Sequence, residues 1–257
     1  LRGRFTGSSL QLTSFSGRTA ESGRVSGSGR IGFADLLQRG PEIDIRIAAE
    51  EARLLDRSDI SVTLTGPIRI LSNRTGGTIA GRVRIDRGRW QLGRAEAAEA
   101  IPEIEIVEVN LPATRAPVAR RNTSWSYLVD ARAANQFAVE GMGLQSEWNA
   151  DIRLRGTVDD PRIGGEAGLV RGDFSFAGSS FALERGQIRF DEAVQPDPVL
   201  DILASSQVDG LDVDVTVTGR ATAPVIALSS TPPLPEDELL SRILFGGNLN
   251  ELSPLDA

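Results

Sequence analysis

The sequence predicts an all-β chain, an antiparallel sheet with one apolar face, closed off by a single short C-terminal helix. Three observations predict it. First, apolar and polar residues alternate between Gly165 and Ser229. Phe174 and Phe176 flank Ser175, Phe181 and Leu183 flank Ala182, and Ile188 and Phe190 flank Arg189. Leu200 and Ile202 follow, then Val213, Val215 and Val217 around Asp214 and Thr216. A period of two sends alternate side chains to opposite faces of a strand. Second, Gly172, Gly178, Gly186, Gly210 and Gly219 punctuate the stretch where turns or bulges are expected. Third, helical periodicity is clear only near the C-terminus. The stretch reads as five or six short antiparallel strands in a meander. Its apolar face needs a cover. A sandwich or barrel would supply one from the sheet itself, a groove would take one from a ligand, and periodicity does not choose between them.

The N-terminal elements follow the same logic. LQLTSFSG and RVSGSGRIGF, within residues 1–33, read as Gly/Ser-rich strands. Gly27 to Gly32 spells GxGxxG, but a dinucleotide site needs a strand–helix turn in a parallel βαβ unit. FADLLQRG is about two turns long and breaks at Gly40-Pro41, so strand glycines are the better account. Ile43, Ile45 and Ile47 make a strand, as do Ile60, Val62 and Leu64. Gly66-Pro67 and Arg87-Gly88 read as breaks before Ile68–Ile70 and before Trp90–Leu92.

Residues 93–124 are the least regular part, with RAEAAEA, a mixed strand and a Pro/Arg-bearing loop. They are expected to be mobile, and Arg115, Arg120 and Arg121 to be solvated rather than bound to lipid headgroups. Strands resume at WSYLVDARA, QFAVEG and SEWNADIRLRG. Two internal echoes suggest a repeated unit added strand by strand. Residues 76–92 resemble 164–176, each with an Arg-Gly turn before an aromatic-led strand. Gly156–Ile163 and Gly219–Ile226 both read G-x-x-x-x-P-x-I. The helix begins at Leu234-Pro235 with Glu236, Asp237 and Glu238 in its first turn, where acids complement the dipole. Leu239, Leu240, Ile243 and Leu244 form its apolar stripe, and Gly246 ends it. So short a helix must pack on something. The edge of the last strand is the expected place, and an outside partner is the alternative.

Composition narrows the function. The chain carries a formal net charge of −7, and all 28 basic residues are Arg. An acidic chain lacks the footprint of nucleic-acid binding. Without His or Cys, triads and thiolate sites are unavailable. Asp159-Asp160 and Glu236–Glu238 sit at turn and helix-start signals, and Asp209, Asp212 and Asp214 lack a calcium-loop spacing. No catalytic residue, metal site or cofactor is therefore expected. No apolar run approaches the roughly 20 residues of a membrane span, and no signal peptide is seen. The chain reads as a fragment whose targeting segment lies outside it. An aromatic content of 5% argues against a glycan platform.

One set of motifs carries a resemblance. Arg171-Gly172, Phe174–Gly178, Phe181-Ala182-Leu183, Arg185–Phe190, Asp197-Pro198, Leu200–Ile202, Thr218-Gly219 and Pro224–Ile226 resemble the TamB C-terminal domain, of the AsmA-like group. Residues 229–257 resemble its closing segment. The motifs are specific from about Asp151 onward and looser before it.

The resemblance implies an elongated, curled sheet, a β-taco, forming an open groove that carries phospholipid between the two membranes. It implies no catalysis, a periplasmic location in an inner-membrane-anchored protein of a Gram-negative bacterium, and a TamA-like outer-membrane barrel partner. Residues 1–124 would form the N-terminal part of the groove, ending in the irregular 93–124 region. Residues 125–257 would form the C-terminal groove domain in continuous architecture with it. Phe174, Phe176, Phe181, Leu183, Ile188, Phe190, Leu200, Ile202, Val213, Val215 and Val217 would line the groove. Leu239, Leu240, Ile243, Leu244 and Phe245 would dock the partner. The alternative from another class is a structural or adhesive β-solenoid segment of a secreted protein, with no lipid cargo.

Overall fold

The computed structural model describes residues 1–19, 23–34, 40–73, 75–93, 124–193 and 196–245. Thirteen strands lie side by side in the order in which they occur in the chain. They are β1 (Arg2–Thr6), β2 (Ser9–Arg18), β3 (Arg24–Gly32), β4 (Glu42–Asp56), β5 (Ile60–Asn73), β6 (Gly76–Gln91) and β7 (Ser124–Gly141). β8 (Leu144–Gly156), β9 (Pro161–Phe176), β10 (Ser179–Asp191), β11 (Val199–Val208), β12 (Leu211–Arg220) and β13 (Ala223–Thr231) complete the sheet. The C-terminal helix spans Glu236–Phe245. All neighbours pair antiparallel except β6 and β7, which run parallel. The sheet does not close, because β1 and β13 are its two edges.

Several breaks expected from the sequence are bends instead. Gly66-Pro67 lies inside β5, Arg87-Gly88 inside β6 and Arg171-Gly172 inside β9, so each pair of short strands is one long strand. The register slips within these strands, between Thr63 and Leu64 on β5, between Ile85 and Gly88 on β6, and between Leu169 and Arg171 on β9, which face consecutive residues of β8. An extra residue in one strand keeps the ladder going while bending it and increasing its twist. That is the physical difference from a turn, and it lets one strand line both sides of a curled sheet. Likewise Gly172 and Gly186 sit within β9 and β10 rather than in turns, whereas Gly178 and Gly210 occupy the β9–β10 and β11–β12 turns with positive φ.

The two G-x-x-x-x-P-x-I echoes are one hairpin used twice. Gly156 pairs with Pro161 across the β8–β9 turn, and Gly219 with Pro224 across the β12–β13 turn. Both glycines have positive φ, 80° and 92°, which an L side chain rarely adopts. Gly27 and Gly29 of the GxGxxG lie in β3 as ordinary ladder residues. The short helix expected after it falls at 35–39, and the irregular region at 94–123; both lie outside the described residues.

Register divides the sheet into two chemical faces. One unbroken row of cross-strand partners runs Ala52–Leu64–Ile85–Ala133–Ala150–Ala167–Ile188–Leu200–Gly219–Pro224, from β4 to β13. The row one residue away reads Thr65–Arg84–Arg132–Asp151–Glu166–Arg189–Val199–Arg220. Every buried apolar strand residue, from Leu12 through Val83, Trp148 and Phe181 to Val213, belongs to the first face. A flat single sheet would leave both faces wet. Burial on one face alone requires the sheet to curl around it.

Candidate functional site

The apolar face is the candidate site, and the register places all eleven expected lining residues on it. Phe174 pairs with Phe181, Leu183 with Ala204, Ile188 with Leu200, and Ile202 with Val217. Phe190 lies opposite Gly165, and Val213 and Val215 continue the alternation along β12. Phe176 stacks on Phe174 with ring centroids 6.2 Å apart, but stands at the strand end, well exposed. Ser175, Arg189, Asp214 and Thr216 occupy the opposite face.

The face reaches much further than those residues. Phe5, Leu10, Ile31, Ile43 and Ile70 extend it towards β1. Val83, Ala133 and Trp148 lie at its middle, all buried. Their signal was in the sequence as alternation in β3 to β8, obscured by the bulges that shift its phase.

Glycines set the depth of this surface. Rings lie where a β-carbon would stand on Gly27 (Phe15), Gly77 (Trp125), Gly88 (Phe137) and Gly186 (Trp148). A bulky ring laid across a bare backbone keeps the surface smooth and the curl tight. Among the described strand residues the one buried polar side chain, Ser146, is satisfied. The Ser146 hydroxyl accepts from the Trp148 indole N–H at 2.9 Å and donates to the Val139 carbonyl at 3.1 Å.

The polar face is held by cross-strand ion pairs. Arg69 spans to Asp44 at 3.0 Å, Arg132 to Asp151 at 2.8 Å, Arg155 to Asp130 at 2.5 Å, and Arg220 to Asp191 at 2.8 Å. The hydrogen bond from its arginine is the main reason each of Asp44, Asp130 and Asp191 is held below the usual carboxylate range. Two concavities of about 770 Å³ lie chiefly on this polar side. One is lined by Arg53, Asp56, Arg57 and Arg89 among others, the other by Arg82, Asp130, Arg153 and Arg189. The second also reaches Gly165 and Phe190, so one of the expected lining residues borders this arginine-rich concavity. Among the described residues no cluster of three or more potential metal-ligating side chains occurs.

The C-terminal helix departs from expectation. It lies next to β13, but its buried side chains pack on the apolar face rather than on the strand's backbone edge. Leu239 and Ile243 are 1% and 4% exposed, in one cluster with Phe181, Ala204, Val208, Leu211 and Val213. Phe174, Leu183, Val215 and Leu228 pack around that cluster. The reason is area: an edge offers backbone groups, whereas the face offers side chains to bury. Burying a Leu or Ile is worth about 1.5–3 kcal/mol. The expected docking stripe is thereby split, because Leu240 and Leu244 stay 42% and 40% exposed. Phe245 ends the helix, and its side chain lies outside the described residues. Leu211 and Val208, unassigned from sequence, belong to the same alternation as Val213.

Among the described residues no strand pairs with the outer side of β13. That strand, APVIALSST, contains no charged residue, and Val225 and Ile226 are exposed.

The model of one protein family, described as the TamB C-terminal domain, matches residues 13–257.

Proposed function

The chain belongs to the TamB C-terminal domain family, and from that premise we propose that its apolar face is a groove sheltering phospholipid acyl chains between the two membranes. The family membership itself carries the broader assignment. This is an envelope component of Gram-negative type, serving assembly or transport at the outer membrane together with an outer-membrane partner. The lipid reading goes further, and one observation carries it. The row from Ala52 to Pro224 crosses ten strands without a single polar side chain, on the concave face of a sheet that never closes.

The physical reasoning is one of missing cover. A sandwich supplies a second sheet and a barrel closes on itself; here, away from the helix, neither is present among the described residues. Acyl chains supply apolar contact along the whole face, at about 0.8 kcal/mol per CH₂. A chain of roughly 16 carbons gains on the order of 12 kcal/mol, enough to leave a bilayer without a large barrier. Headgroups remain in water, along the open side. The adhesive solenoid reading offers no occupant for the face.

Docking on a TamA-like barrel protein is the second part of the proposal. Exposed edges in natural sheets are blunted by charge or Pro-rich bulges. β13 carries Pro224 at its start but no charge, so the edge from Val225 to Thr231 suits pairing with a strand of another chain. The helix need not move to free that edge, since it lies on the face. Leu240 and Leu244, exposed beside it, add an apolar contact for the same partner. The anchoring of the protein in the inner membrane, through a segment outside residues 1–257, belongs to the same reading.

The test is the lipid content of the purified chain. Extraction and mass spectrometry are expected to recover phospholipid in stoichiometric amount. Protein expressed in a Gram-negative host, folded and free of lipid, would contradict the groove.

A further inference from the structure

We propose that the patch beneath the C-terminal helix is the terminal acyl-chain station of the groove, held by the helix until an acyl chain displaces it. The proposal rests on the lipid reading of the apolar face and names how one end of that face is regulated.

The first observation is continuity. Val213, Ala204 and Phe181, which the helix covers, share the face and the strands of Val217, Ile202 and Ile188, which it leaves half-exposed. The helix therefore occupies the same surface as the proposed cargo, using Leu239 and Ile243 where a lipid would use methylenes. It sits at the β10–β13 end, beside the strand whose outer edge is free, where cargo handed to an outer-membrane partner must leave.

The second observation is that the seat is imperfect. The helix spans ten residues, too few to persist alone in water. Its seat on the sheet relies on two large side chains, the equivalent of roughly four to seven buried methylenes. That is well short of a full acyl chain. Against this gain, the Arg242 Nε is buried without a hydrogen-bond partner, a cost that undocking removes. Among the described residues the Arg242 guanidinium pairs with Glu238, one turn earlier on the same helix, at 2.9 Å. An acyl chain advancing along the face can thus exchange with the helix, and the displaced helix presents all four of its aliphatic side chains.

The test uses the chain with vesicles of phosphatidylethanolamine and phosphatidylglycerol bearing a photoactivatable diazirine in one acyl chain. Labelled residues are mapped by mass spectrometry in the wild type, in Leu239→Ala and in Leu240→Pro. The first variant removes a buried contact; the second breaks the helix at an exposed position and so spares the sheet. If the helix is docked nine times in ten, its release raises labelling around Phe181 and Val213 by about tenfold. Labelling around Val83, far from the helix, is expected to stay unchanged. Unchanged or reduced labelling at Phe181 and Val213 in both variants, with Val83 still labelled, overturns the helix proposal alone. Absence of label at Val83 as well overturns the lipid reading beneath it.

Discussion

The indole of Trp148 lies 2.7 Å from the place where a β-carbon on Gly186 would stand. Trp148 belongs to β8 and Gly186 to β10, so the ring bridges the intervening β9 across the apolar face. The β-carbon of Leu169 stands 2.9 Å from the same point. Replacing Gly186 by Ala therefore forces the ring and the strand apart, with an expected cost of about 1–3 kcal/mol in urea unfolding. Gly178→Ala meets no neighbour within 4 Å, and its cost comes from the backbone, at a φ of +83°. That cost is expected to be smaller, about 1 kcal/mol. Equal costs for the two would contradict the ring-over-glycine account.

Val217→Asp places a charge on the apolar face at a half-buried position away from the helix. An unpaired charge beneath acyl chains costs several kcal/mol. Phospholipid retention should fall on the order of a hundredfold, or ~3 kcal/mol. The empty groove can hydrate the new carboxylate, so the fold should survive, as circular dichroism will report. Thr218→Asn, one residue on and facing outward, should retain lipid.

The ion-paired aspartates give a pH and salt dependence of definite sign. Asp44, Asp130 and Asp191 have folded-state pKa values lowered by their arginine partners. Their contribution to stability is present above the unfolded aspartate value of about 3.9 and is lost as the pH falls through the lower folded value. The pairs are exposed, so the effect is modest and screened by salt. The unfolding midpoint should decline below about pH 4, and less steeply at high salt. A midpoint rising on acidification would contradict this.

Val225→Lys tests the free edge of β13. Val225 is 63% exposed, and a lysine there is tolerated by the sheet while discouraging an added strand. Stability should change by less than about 0.5 kcal/mol. Association with the outer-membrane partner in pull-downs should weaken sharply. Deleting residues 234–257 tests the exposed helix stripe separately. The sheet is expected to stay folded while association with the partner is lost, and unchanged co-purification would place docking elsewhere.

Alternation made most of the fold legible. Phe174–Phe176, Phe181–Leu183, Ile188–Phe190 and Val213–Val217 each keep a period of two, so each run's common face followed from the sequence. The bulge between Leu183 and Arg185 is what brings Phe181 and Ile188, seven residues apart, onto one face. Two things were hidden. Gly66-Pro67 and Arg171-Gly172 look like turn signals, yet the same conformational freedom serves a bend within a strand, and local composition does not separate the two. The seat of the helix was hidden because Leu239, Leu240, Ile243 and Leu244 form one broad stripe. Only the partner surface shows which half is covered. The family resemblance supplied the open groove, which periodicity left undecided against a sandwich or barrel.

The most direct test of the groove compares neighbouring residues that face opposite ways. A photo-crosslinking amino acid is installed in cells at Ile188 and Val217 on the apolar face, and at Arg189 and Thr218 on the polar face. Irradiation is expected to give phospholipid adducts at Ile188 and Val217, and none at Arg189 or Thr218. Equal adducts on both faces, or none at Ile188 and Val217, would contradict a lipid-bearing groove.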